Sequence, residues 1–336
     1  MLHLHFVAED LGRIRFASSP LWETVMSLRA LTAPDTGAQL HMPWRRQVER
    51  RLADVDMGLL TALVRPAGYI PDFLVPSPHR RSAAFTTALA QVAAGDPAEV
   101  ARQLRHLAGH PIAQQGSGRA ERARLLHRLA DAPAASLTAI VRELDRYWVT
   151  AIAPFWPRIH ALLRADLAHR LEELADGGAN QLFRTLHPSV SFDRDTLRVV
   201  KYYEGHADLA GRGLLLVPCA FAWPDVIVLT AHPSVPTVSY SPRGLGRLWE
   251  QHPTPHRSAL VNVLGRTRAA LLAQLDLPMS TTQVAAQLGL SPPTLNVHLH
   301  ALRAARILTS HRDGRHVLFS RTALGDQLLA SGDGDA

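Results

Sequence analysis

A chain of 336 residues is long enough for two or three domains, and 47% hydrophobic content is ordinary for a globular protein. A single cysteine, Cys219, excludes a disulfide framework and fits a reducing compartment. The formal net charge of +7 rests almost wholly on arginine, with Lys201 the only lysine, and it permits nucleic-acid binding without establishing it.

The chain opens with an alternation. Leu2, Leu4 and Phe6 interleave with His3 and His5, which predicts a half-buried strand, and Arg13 to Phe16 repeats the pattern. His3 and His5 share a strand face, but two imidazoles without a carboxylate or thiol partner predict exposed strand histidines rather than a metal site. Ser19-Pro20 reads as a helix start, a cap followed by a favoured first residue. Leu21, Val25, Leu28 and Leu31 give that helix its apolar face, with Trp22 beside it. Arg45, Arg46, Arg50 and Arg51 around Glu49 read as a solvated helix face, and so does the basic run 119–128. A proline-rich loop follows from Tyr69 to Pro78.

Helices are predicted over 82–94, 97–107, 119–130, 136–151 and 154–175, with Asp131-Ala132-Pro133 and Gly177-Gly178 as punctuation. Tyr147, Trp148, Phe155 and Trp156 place four aromatics on two adjoining helices. Such a group serves a core or lines a ligand pocket, and these are the pocket-lining candidates of the N-terminal region. The pattern then turns to strands at 197–203, 214–217, 226–229 and 237–240, with turns at Gly211-Arg212-Gly213 and Trp223-Pro224-Asp225. A small antiparallel sheet packed on the upstream helices is expected. Leu214 to Ala231 is the most apolar segment, but Pro218, Pro224 and Asp225 interrupt it, so it reads as buried strands and not a membrane span. No basic start followed by an apolar run opens the chain, so a soluble cytoplasmic protein with no membrane partner is expected.

Residues 251–257 read as a linker between an N-terminal effector or dimerisation region (1–250) and a C-terminal domain (258–330). His252 and His256 have a metal-like spacing, which the intervening prolines exclude from a helix. A helix is expected from Ser258 to Leu275, with Leu260, Val263, Leu264, Leu271 and Leu272 apolar. The tail 331–336 is expected to be disordered.

The stretch 283–321 carries the functional signal. Val284, Ala285 and Leu288 recur at helical spacing and Gly289 ends that helix. Leu290 plugs the turn, Ser291 caps the next helix, and Pro292 takes its first position. Leu295, Leu299 and Leu302 form a core stripe. Pro293, Asn296, Val297, His300 and Arg303 form the opposite one, light enough to enter a DNA major groove. A hairpin follows, with strands at 307–310 and 315–320 and Asp313-Gly314 as its turn. His311, Arg312, Arg315 and His316 make its tip basic.

Leu288, Gly289, Ser291, Thr294, Leu295, His298, Leu299, Leu302 and Arg303, followed by the hairpin, resemble the winged helix-turn-helix of ArsR-type bacterial transcriptional regulators over the C-terminal 80 residues or so. The opening stretch 4–31 also resembles the start of long members, whose N-terminal extension has no assigned role. Metal-sensing members carry a Cys-x-Cys in the helix before the recognition helix. Val284-Ala285-Ala286 stands there instead, so thiolate metal sensing is not expected. The resemblance implies promoter repression by a homodimer on a pseudo-palindromic operator.

The fold class expected is thus mainly α with small β elements (α+β), a helical N-terminal region followed by a C-terminal winged helix. Asn296, Val297 and His300 are expected at base edges, with Asn suited to adenine and valine to a thymine methyl. Pro293 and Thr294 lie near the helix's entry to the groove. Ser291, Thr294 and Arg303 suit phosphates, and Arg312 and Arg315 carry the wing. The partners expected are double-stranded DNA, a second copy, and an unidentified small-molecule effector. No phosphate-binding loop, dinucleotide fingerprint, zinc-protease motif or nucleophile elbow is legible, so neither catalysis nor a cofactor is expected. The alternative is that 1–250 forms a small-molecule-binding or enzymatic domain, with the winged helix as a regulatory or protein-interaction appendage.

Overall fold

The computed structural model describes residues 1–34, 39–111, 118–201, 203–230, 235–249, 263–275, 278–288, 290–313 and 316–331. The chain separates into two compact units, Met1–Trp249 and Glu250–Ala336.

The first unit is built on two four-stranded sheets. In one, β1 (Leu2–His5) lies between β4 (Thr196–Val199) and β5 (Gly205–Asp208), and β3 (Val190–Asp193) flanks β4. β1 runs antiparallel to β4, with Leu2 opposite Val199, and parallel to β5, with His3 opposite His206. In the other, β2 (Arg15–Phe16), β6 (Leu215–Pro218) and β8 (Thr237–Tyr240) run parallel, and β7 (Ile227–Leu229) closes the edge antiparallel to β8. The antiparallel expectation therefore holds only for the β3-β4-β1 and β7-β8 pairs. The β1-β5, β2-β6 and β6-β8 pairs are parallel instead, and two of these three bring in the N-terminal strands, which pair with strands about two hundred residues away. Strict alternation along β1 turns Leu2 and Leu4 inward, where they share a core with Phe6, Leu197, Val199, Leu216, Val238 and Tyr240.

The helix α1 (Ala8–Leu11) is held by Asp10, whose carboxylate accepts from the amides of Val7 at 2.9 Å and Gly213 at 2.8 Å. Gly213 has φ +73, and a Cβ there would stand 2.4 Å from the Arg13 carbonyl oxygen, so the close approach requires glycine. Ser19 caps α2 (Pro20–Thr32) as expected, and its side chain accepts from the Trp22 amide. The helix is buried on every side from Pro20 to Ala30, which makes it the central helix of the unit. Two of its hydroxyls are satisfied within the helix: Thr24 donates to the Pro20 carbonyl at 2.7 Å, and Ser27 to that of Thr24 at 2.8 Å.

Around it stand α3 (Met42–Arg51), α4 (Gly58–Leu63), α5 (Phe85–Ala93), α6 (Pro97–Gly109), α7 (Arg119–Asp131) and α8 (Pro133–Tyr147). The last begins three residues earlier than the spacing predicts and ends in a π-turn, Trp148–Ile152. The final helical stretch, α9 (Trp156–Leu186), reverses at Gly178, which has φ 64 and ψ −163. The Thr185 hydroxyl donates to Glu173 at 2.7 Å and accepts from Arg170 at 2.8 Å, 12 and 15 residues back. A straight helix would hold those positions roughly 18 and 22 Å apart. Gly177-Gly178 thus ends one arm, as its composition predicts, and a second short arm follows that the periodicity does not announce.

The second unit contains α10 (Arg266–Gln274), β9 (Met279–Ser280), α11 (Thr281–Leu288), α12 (Pro292–Ala304), β10 (Leu308–Asp313), β11 (His316–Arg321) and α13 (Ala323–Ser331). Its sheet has the order β10-β11-β9, and β9 is too short to register in the sequence pattern. Leu271, Leu272, Val284, Ala285, Leu295, Leu299, Leu302, Ile307, Leu308 and Phe319 form one core. Val263, one of the apolar residues of the expected helix, is 81% exposed. The linker 251–257 and residues 332–336 of the expected tail 331–336 lie outside the described residues, while Ser331 belongs to the last helix. The whole is an α+β mixture dominated by helices.

Candidate nucleic-acid interface

The two helices α11 and α12 are fixed against each other by Val284 and Ala285 on one side and Leu295, Leu299 and Leu302 on the other. With those three leucines buried, helical spacing leaves Pro293, Thr294, Asn296, Val297, His300 and Arg303 exposed on α12. Val297 is 67% exposed, an apolar side chain left largely open by the described residues of its unit. Ser291 caps the helix, accepting from the Thr294 amide at 3.4 Å, and the two hydroxyls lie 2.8 Å apart. The positive end of the helix therefore lies beside two exposed hydroxyls, a setting suited to a phosphate.

Arg303 closes this stripe, and Arg312 lies on the wing. Arg303 donates to the Ser310 hydroxyl at 3.1 Å, which ties the end of α12 to the first strand of the wing. Arg312 is exposed near the tip of β10. Arg315 lies outside the described residues. Arg321, the last of the five arginines in this stretch, is structural: it pairs with Asp326 at 2.6 Å and donates to the Leu272 carbonyl at 3.0 Å. Sequence reasoning missed Thr281, whose hydroxyl donates to Asn296 Oδ1 at 3.2 Å. The two are 15 residues apart, and only the helix-helix packing brings them together.

The aromatic candidates of the first unit divide into separate clusters. Tyr147 is buried, its phenol 2.9 Å from the Ser27 hydroxyl. Trp148 stacks on Phe85 at 4.4 Å and meets Trp156 edge-on at 5.6 Å, so those two candidates are together. Phe155 turns instead to Trp249, at 5.8 Å, with the Arg51 guanidinium 5.6 Å from its ring. His3 and His5 are joined by His206, with ring centroids 4.8 and 6.1 Å away. The three rings lie nearly parallel, and no group of three such side chains among the described residues is arranged to hold a metal.

Two buried carboxyls complete the electrostatics of that unit. Glu23 accepts from the amides of Ala220 at 2.7 Å and Phe221 at 3.3 Å and from the Cys219 thiol at 3.2 Å. Burial pushes its carboxyl up to about 7, against the lowering effect of those donors. Asp166 accepts from the Tyr240 hydroxyl at 2.8 Å and the Arg243 amide at 2.9 Å, with Arg170 at 3.7 Å. Burial also raises this carboxyl, opposed by the same partners.

Residues 264–311 match the family model of a helix-turn-helix domain, a span that covers α10, β9, α11, α12 and most of β10. The C-terminal unit is thus a helix-turn-helix domain, the equipment of a DNA-binding transcriptional regulator. Residues 80–244 match a family of unknown function (DUF5937), a span that leaves out β1 and β2 although each sheet includes one of them. Comparison with curated proteins and with solved structures gave no match. No helix among the described residues is long and apolar enough to cross a membrane.

Proposed function

We propose that this chain is a sequence-specific regulator of ArsR type that binds double-stranded DNA as a homodimer and represses from a pseudo-palindromic operator. The observation that carries this reading is the division of α12 into a buried leucine stripe and an exposed stripe of small and polar groups. A helix that needed only to pack would have no use for Val297 at 67% exposure beside Asn296 and His300, whereas a thymine methyl is a natural cover for it. Ser291 and Thr294 take a phosphate at the helix start, and Arg303, Arg312 and Arg315 follow the backbone along the wing. The chain acts by binding in the cytoplasm and not by catalysis. The first unit supplies dimerisation and effector response, with Trp148 and Trp156 as the aromatic pair offered to a small molecule.

Selection of bound duplexes from a random library with the purified full chain tests this. Recovery of an inverted repeat with half-sites about one helical turn apart supports it. Replacing Arg312 and Arg315 with alanine should weaken binding on every sequence and lower the log-log salt slope by roughly 2. No enrichment at low salt refutes the reading.

A further inference from the structure

The bond between Thr281 and Asn296 bears on which base this helix reads, given the DNA-binding reading above. An unconstrained asparagine is a two-ended reader. Its oxygen accepts from adenine N6 while its nitrogen donates to adenine N7. Here the Oδ1 atom of Asn296 is turned back to the Thr281 hydroxyl at the start of α11, 3.2 Å away. The amide is planar, so with the oxygen directed at α11 the edge left for the groove is the NH2 group. That edge only donates. Its complement in the major groove is a pair of acceptors, the O6 and N7 atoms of guanine, whereas adenine sets a donor beside N7.

We infer that Thr281 is a positioning residue that sets base preference, making Asn296 a reader of guanine and turning it away from adenine. The packing of Val284 and Ala285 against Leu295 and Leu299 fixes the two helices, so the Thr281 hydroxyl stays within reach of the amide. Both side chains have access to water in the free protein, where such a bond contributes little net stability. Beneath a duplex that excludes water the balance changes, because swinging Asn296 round to adenine strips the Thr281 hydroxyl of its acceptor. Thr281 itself need not touch DNA for this.

The test is library selection with four full-length proteins: wild type, Asn296→Ala, Thr281→Val and Thr281→Ser. Asn296→Ala locates the base pair concerned, as the position whose preference disappears. Wild type is expected to favour guanine over adenine there, and Thr281→Ser, which keeps the hydroxyl, to do the same. Thr281→Val keeps the shape but not the donor, and should move the ratio toward adenine by about fivefold or more. A Thr281→Val library identical to wild type overturns the inference. So does tighter binding of wild type to an operator carrying adenine at that position, a measurement that needs neither Thr281 variant to fold. If wild type enriches no sequence at all, DNA binding itself fails and the inference falls with it, an outcome distinct from the other two.

Discussion

The Ala220 amide donates to the Glu23 carboxylate across 2.7 Å, joining residues 197 positions apart. The contact fastens the central helix to the turn that follows β6, inside the core. Because burial raises the Glu23 carboxyl from 4.5 to about 7, the folded state favours its protonated form.

The sign of the resulting pH dependence follows from that. Between pH 4.5 and 7 the folded chain holds a proton that the unfolded chain has lost, so the contribution is complete below 4.5 and fades as pH rises to about 7. Its size is on the order of 3 kcal/mol. Urea unfolding of wild type and Glu23→Gln between pH 4.5 and 8 reads it as the difference between the two curves. A difference that stays constant with pH would show that Glu23 does not titrate in this range.

Gly178 permits the reversal of α9, and nothing lies within 4 Å of where its Cβ would stand. Gly178→Ala therefore isolates backbone strain at φ 64, ψ −163, a region that side chains scarcely enter, and should cost about 1–3 kcal/mol. Gly177→Ala acts by collision, since its Cβ would come 2.4 Å from that of Gln181. Denaturant midpoints of the two variants should both fall. A Gly178→Ala chain as stable as wild type would mean that the arms need no such turn.

Legibility tracked the range of the forces involved. The cap at Ser19, the leucine stripe at 295, 299 and 302, and the exposed stripe between them depend on neighbours within a turn or two, and all were readable. The strand pairing of β1 with β5 depends on residues more than two hundred positions away, as His3 opposite His206 shows, and was not. The same holds for the interface. Its exposed face was legible as a period, but Thr281 enters through tertiary packing alone. Nor does the sequence reveal that Arg321, at the end of the same hairpin, is spent on Asp326 and the Leu272 carbonyl.

His3, stacked with the rings of His5 and His206, gives the first sheet a second pH response, of opposite sense. The pKa of His3 is held below 6.5 by partial desolvation first, then by His206, Arg198, His5 and the N-terminal ammonium. Arg198 in turn lies 3.7 Å from Asp193, and Asp208 is the register partner of His5. A lowered histidine favours the folded chain above its unfolded value and withdraws that support as pH falls below 6.5. Replacing His206 with Asn should make the fall in melting temperature between pH 7 and 5.5 shallower. An unchanged slope would remove the stack from the account.

Arg306 ends α12 in a conformation that costs stability. The Arg306 amide donates to the Arg303 carbonyl at 2.9 Å and the Ile307 amide to that of Leu302 at 3.0 Å, the paired bonds of a Schellman motif. The residue at its left-handed position is ordinarily glycine, but here it is arginine with φ 56. Ile307 and Leu302 complete the motif by packing in the same core. Since Arg306 is exposed and removal of its side chain relieves the Cβ strain, Arg306→Gly should raise the stability of the C-terminal unit by about 1 kcal/mol. The gain is partly offset by the greater freedom of glycine in the unfolded chain. Thermal melting of the full chain, followed by a probe placed in that unit, reads the change, and operator affinity read alongside separates two roles. Higher stability with unchanged affinity makes Arg306 a tolerated strain. Lower affinity at the same time would show that the strain is kept because the guanidinium reaches the DNA backbone.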